Sequence, residues 1–142
     1  MRKQPQQLFL SRGIGLIDAL IALAILSFGM LGMARFQSRI VMGASESQSR
    51  TVAAQFNDEL INTALVDAGN AACYTLPQAG ACASAVAKAR ATAWAASAVA
   101  ALPAPASAAA TLNAGRLTVS LTWQGKESDE QRTQTGVTDV RP

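Results

Sequence analysis

The chain has 142 residues, of which half are hydrophobic but only 5% aromatic and 15% charged, so its apolar content is aliphatic and alanine-rich and suffices for one small domain. It contains no histidine and only two cysteines, which excludes His-based catalytic triads, the HExxH zinc helix and a four-cysteine zinc knot. The net charge of +3 sits in residues 1–13, where Arg2, Lys3 and Arg12 face no acid, while the other 129 residues carry nine basic and nine acidic side chains. The overall basicity is therefore not the footprint of a nucleic-acid binder, which needs a basic patch on the folded part. No phosphate-cradling glycine loop occurs either. The composition therefore favours a structural or interaction protein with no cofactor and no metal over an enzyme.

Ile14–Ala34 reads IGLIDALIALAILSFGMLGMA, 21 residues with one charge, Asp18, and one hydroxyl, Ser27. As a helix it measures about 32 Å, against the ~30 Å hydrocarbon core of a bilayer. The span is predicted to cross a membrane, and the basic leader predicts a cytoplasmic N-terminus. Two plainer readings stand beside this one. A secretory signal peptide has a shorter apolar region, though a small-x-small site lies at Gly32 and Ala34. A permanent single-span anchor needs no processing at all.

Asp18 bears on the choice. A carboxylate in a membrane helix costs about 2.5–3.5 kcal/mol near the bilayer centre and less near an edge. Asp18 lies one helical turn inside the apolar run, either as a shallow tolerated acid or as a carboxylate with a cation to meet. A cut between Gly13 and Ile14 would place the new Ile14 amine one turn away.

The pattern Arg12-Gly13, a hydrophobic residue, three further residues, an acid and an apolar run resembles the class III signal of type IV pilins and type II secretion pseudopilins. The resemblance implies cleavage by a prepilin peptidase after Gly13, N-methylation of Ile14, and a filament-docking role for Asp18. Ile14 stands where that family usually has Phe. Asp18 stands where it usually has Glu, one methylene shorter. Gly15 replaces the more typical hydroxyl residue.

Beyond the span, the spacing predicts a helix continuing to about residue 68, since no proline lies between Pro5 and Pro77. Val52, Phe56, Leu60 and Ala64 form an apolar stripe with Ala53, Ile61 and Leu65 beside it. Gly43–Thr51 reads as solvated, and Asp67–Asn70 as a helix stop with Gly69 or Asn70 in a left-handed cap. Cys73 and Cys82 flank a turn-rich insert. In an exported chain they allow one intramolecular disulfide, the alternative being two buried thiols.

Residues 83–110 hold 16 alanines. A helix over about 83–101 is predicted, with Val86, Trp94, Ala98 and Leu102 on one face, and a linker from Pro103 to Ala110. Arg116–Gln124 alternates cleanly, with Leu117, Val119, Leu121 and Trp123 on one side. Gln131–Val140 reads as an edge strand, and residues 108–112 as a third strand turning at Asn113-Ala114-Gly115. The expected class is α+β: a long N-terminal helix, half membrane-spanning and half amphipathic, packed on a small antiparallel sheet.

The cysteine loop, the helix with Trp94, Leu102-Pro103 and the strand ending Leu121-Thr122-Trp123 together resemble the PilV-type minor pilins of the type IV pilus. That resemblance implies a non-enzymatic subunit with residues 35–142 in the periplasm. Its partners would be prepilin peptidase, other minor pilins, the major pilin and the inner-membrane assembly platform. A pseudopilin shares the leader and remains the nearer alternative. A membrane-anchored periplasmic binding module that never assembles is the alternative of another class.

Overall fold

The structure is a computed structural model describing residues 14–125 and 130–141. Its elements are α1 (Ile14–Val66), a 3-10 segment (Ala68–Tyr74), α2 (Ala85–Ala101), β1 (Ala106–Asn113), β2 (Arg116–Gln124) and β3 (Gln131–Asp139). The α+β class expected from the sequence is therefore the class observed. Two compact units divide the chain at Val41, the first holding the early part of α1 and the second holding Met42–Pro142.

In the second unit, the three strands form one antiparallel sheet in the order β1-β2-β3. The alternation of β2 sends Leu117, Val119, Leu121 and Trp123 into the core, all essentially inaccessible. Most of their neighbours across the ladders are small, Ala106, Ala108 and Ala110 on β1 and Gly136 on β3, while Leu117 faces Leu112. Ala53, Leu60 and Ala64 of α1 complete this core with Tyr74 and Trp94. The expected stripe is thus the packing face, but Leu65 is exposed and Asn57 is buried within it. The Asn57 amide donates to the Gln134 carbonyl of β3 at 3.0 Å, which satisfies its nitrogen. A Cβ on Gly136 would lie 2.8 Å from Ile61 Cδ1 and 3.3 Å from Asn57 Cβ, so the absent side chain lets helix and strand approach.

Several expectations are corrected. On α2 the buried face is Ala87, Ala91, Trp94 and Ala98, whereas Val86 is exposed. The spacing of four, three and four residues puts the small side chains inward, where they permit close packing. Ser84 caps the helix by accepting the Ala87 N–H at 3.2 Å. Residues 103–110 are not wholly a linker, because β1 already starts at Ala106, opposite Trp123. Ladder pairing overrides the helix propensity of the alanine run. Gly43–Thr51 is helical and mostly exposed, as expected, with only Ser45, Glu46 and Ser49 half-buried. Glu46 meets Arg50 at 3.4 Å and Arg132 of β3 at 3.7 Å, an ion pair that ties the start of this unit to its edge strand.

Neither Gly69 nor Asn70 adopts the left-handed conformation expected of them. The chain instead tightens into the 3-10 segment. Asp67 accepts the Asn70 backbone N–H at 2.9 Å and the Asn70 side-chain amide at 2.7 Å. Those bonds do the work of a glycine cap. Positive φ occurs instead at Gly80 (81°) and in the turn between β1 and β2, at Ala114 (50°) and Gly115 (80°). Both signs suit a two-residue hairpin turn of type I′, a position that favours Asn-Gly over Ala-Gly. Ala114→Asn should therefore stabilise the protein by about 0.5–1 kcal/mol. Urea midpoints of the two proteins check this, and an unchanged midpoint would mean that the turn carries no strain.

Cys73 and Cys82 are joined in a disulfide with Cα atoms 4.7 Å apart. The loop it closes is anchored on the sheet, where Leu76 exchanges two backbone hydrogen bonds of 2.8 Å with Ala110 of β1. One sheet edge is thereby partly covered. Cross-linking so short a loop is worth about 2–3 kcal/mol in the chain-entropy picture. The paired change Cys73→Ser and Cys82→Ser should lower unfolding stability by that amount. A loss under about 1 kcal/mol would show that the Leu76 bridge alone orders the loop.

Candidate functional site

The first unit is dominated by its exposed apolar surface. Every large apolar side chain from Leu16 to Val41 is at least half exposed, from 54% at Ile21 and Ile40 to 76% at Phe28. They point to all sides of α1, so no single stripe could be buried by a one-sided partner. A soluble chain rarely leaves a surface of this extent bare. The helix is long and apolar enough to cross a membrane. Ser27, the one hydroxyl of residues 14–34, donates to the Leu23 carbonyl at 2.7 Å and needs no outside partner. Such internal satisfaction is what a lipid-exposed or helix-packed position requires.

Of the residues singled out in the leader, Gly13 lies outside the described residues. Ile14 opens α1. Asp18 follows one turn later, about 6 Å along the axis, with its side chain exposed. Asp18, Arg35 and Arg39 are the only charged residues between Ile14 and Val41, and among the described residues none of the three has an ion-pair partner. The unit thus presents an acid near one end of an apolar rod and two cations at the other.

The second unit holds a polar cluster that the sequence reading did not pick out. Asp67 accepts from the Tyr74 hydroxyl at 2.9 Å as well as from Asn70, and Arg90 of α2 adds a favourable charge. The hydrogen bonds from Asn70 and then Tyr74 hold the Asp67 carboxyl below its usual range, while partial desolvation opposes them. Burial, followed by the bond to Asp67, pushes the Tyr74 phenol up. Next to the cluster a cleft of about 300 Å³ opens between α1 and α2, lined by Glu59, Thr63, Tyr74, Arg90, Trp94 and Ser97 among others. The indole N–H of Trp94 is spent on the Phe56 carbonyl at 2.8 Å, so the aromatic ring acts here as a pin between the helices. The Asp67, Asn70 and Tyr74 spacing of three and four was the available signal. It is a weak one, because polar residues beside a helix end are common.

The sign of the Asp67 shift sets a pH prediction. A carboxyl whose folded pKa is depressed contributes stability above the unfolded value near 4 and loses it as pH falls through the folded value. Stability should therefore decline below about pH 4 more steeply in the wild-type chain than in Asp67→Asn. Urea titrations at several acidic pH values measure the two slopes. Equal slopes would remove Asp67 from the acid response.

No family model, curated protein or solved structure matches this chain.

Proposed function

We propose that the chain is a filament subunit of the type IV pilin class, of the PilV-type minor pilin kind. The carrying observation is a single uninterrupted α1 that is apolar and uncovered from Leu16 to Val41 and core-forming from Ala53 to Ala64. One helix therefore serves two environments. The early part needs lipid or neighbouring helices, and the later part carries the disulfide-bonded α+β body. Together with the Arg12-Gly13 junction and Asp18, this supports the following course.

The precursor inserts in the inner membrane with the basic leader in the cytoplasm and residues 35–142 in the periplasm. Prepilin peptidase cuts after Gly13, and the freed Ile14 amine is methylated. The apolar rod then leaves lipid for the helical interior of a filament. That transfer exchanges one apolar medium for another and gains little from the hydrophobic effect. Assembly therefore draws on external work through the inner-membrane platform, and the specific contacts of the rod choose its place. Other minor pilins and the major pilin are the neighbours, and priming of the pilus is the role. No chemistry is catalysed.

The test is the mature N-terminus, read by intact and N-terminal peptide mass from membranes with and without prepilin peptidase. A peptidase-dependent, N-methylated Ile14 is expected. An intact Met1, or a cut near Ala34, would remove the filament reading and leave an anchored or exported domain.

A further inference from the structure

Arg35 and Arg39 take no part in the processing junction or in the core of the second unit. They lie one turn apart on the same side of α1, and both are exposed. Among the described residues neither has an ion-pair partner, and the next acid along the chain, Glu46, already meets Arg50 and Arg132. Orientation gives no reason for them, because cations at this end oppose the bias set by the basic leader. Their depth does. Arg35 lies 21 residues beyond Ile14 and Arg39 lies 25 beyond it, about 32 and 38 Å along a straight helix. The hydrocarbon core is ~30 Å thick, and the bilayer with its headgroups about 40–45 Å. A rod seated with Ile14 at one boundary of the core therefore carries both guanidinium groups into the far headgroup layer, where lipid phosphates lie.

We infer that Arg35 and Arg39 together bind the headgroup phosphate of an anionic phospholipid in the leaflet opposite the leader. The inference rests on the membrane-spanning stage of the proposed function and adds a ligand to it. Residues four apart on a helix have Cβ atoms about 5–6 Å from each other, so two guanidinium groups can close on one phosphate from both sides. Each guanidinium is a planar fork of donors that matches a pair of phosphate oxygens. Phe36 and Ile40 flank the two arginines and are exposed, which offers apolar surface to the acyl chains of the same lipid. Charge decides the kind of lipid. A zwitterionic headgroup brings its own ammonium to its phosphate, whereas phosphatidylglycerol brings none, so two uncompensated cations favour the second. An acidic protein or a free phosphate would supply the charge without the acyl chains that suit this flank. The contact fixes the depth of the rod. It is broken when the rod leaves the bilayer, so it adds to the work of extraction.

The experiment uses the full chain in a neutral detergent. Short-chain phosphatidylglycerol or short-chain phosphatidylcholine is added, and bound lipid is counted by native mass spectrometry. Wild type should bind phosphatidylglycerol at least about tenfold more tightly than phosphatidylcholine, the effect of two cations at a lipid surface. Added salt should weaken that preference. Arg35→Gln with Arg39→Gln should abolish it while circular dichroism shows unchanged helix content, since both side chains are exposed. Arg116→Gln removes an exposed cation from β2 instead and should leave the preference intact. Equal affinity of wild type for the two lipids overturns the inference. So does a preference that survives the paired Gln change, or one that falls equally with Arg116→Gln. Inorganic phosphate that displaces the lipid at equal concentration overturns the lipid as the ligand. Failure of the membrane reading shows separately, because alkaline carbonate would then wash the chain from cell membranes and the inference would fall with it. A chain that resists the wash yet shows no lipid preference loses only the headgroup site.

Discussion

Asp18→Ala should leave membrane insertion intact and cut entry into filaments by roughly tenfold to a hundredfold. The two effects separate because the carboxylate acts in opposite directions in the two media. In lipid it is a burden of up to about 2.5–3.5 kcal/mol, so its removal cannot weaken insertion. Under the proposed function its cation in the filament would be the Ile14 amine created by processing. A charge-assisted hydrogen bond is worth about 1.5–3 kcal/mol, which converts to the stated range. Asp18→Glu adds one methylene of reach and should enter filaments at least as well as wild type. The measurement is the ratio of subunit in sheared filaments to subunit in membranes. A wild-type ratio for Asp18→Ala would reduce the residue to a tolerated shallow acid.

The parts of this fold that were legible in the sequence are those with an unambiguous period. The apolar run of α1 has no competing interpretation as a loop, and the strict alternation of β2 assigns each side chain a face. Alanine-rich segments were harder because alanine suits several environments. In α2 nearly every face is small, so Val86 looked like the natural inward residue, yet Ala87 and Ala91 occupy the buried line. In β1 residues 108–112 were read as strand, while its first residues were given to a linker and become strand through the pairing of Ala106 with Trp123 and Ser107 with Thr122. Asn57 was invisible as a core residue because its partner, the Gln134 carbonyl, lies 77 positions away. Of the candidate site, Asp18 was visible as an anomaly in an apolar run. The cluster around Asp67 was not, since its meaning depends on Arg90 arriving from another helix.

Trp123→Ala should cost about 3–5 kcal/mol, the largest loss among the substitutions considered for the α+β body. Trp123 is 1% exposed and is the largest fully buried side chain. Its opposite number on β1 is Ala106, which leaves room for the indole and fills none of it if the ring is removed. The resulting cavity would lie inside a core built mostly of alanine, valine and leucine on fixed ladders, which is poorly placed to collapse. Trp123→Phe should behave differently. The indole N–H is buried with no acceptor among the described residues, and an unpaired buried donor costs about 1–3 kcal/mol. Phe forfeits part of the ring but also removes that donor. The two terms oppose each other, and the change should stay within about 1.5 kcal/mol of wild type. Trp94 remains as a fluorescent reporter in the same core for urea unfolding of the detergent-solubilised chain. A large loss for Phe would mean that the N–H has found a partner and contributes to stability. A small loss for Ala would mean that the helix and the sheet of the second unit close over the gap.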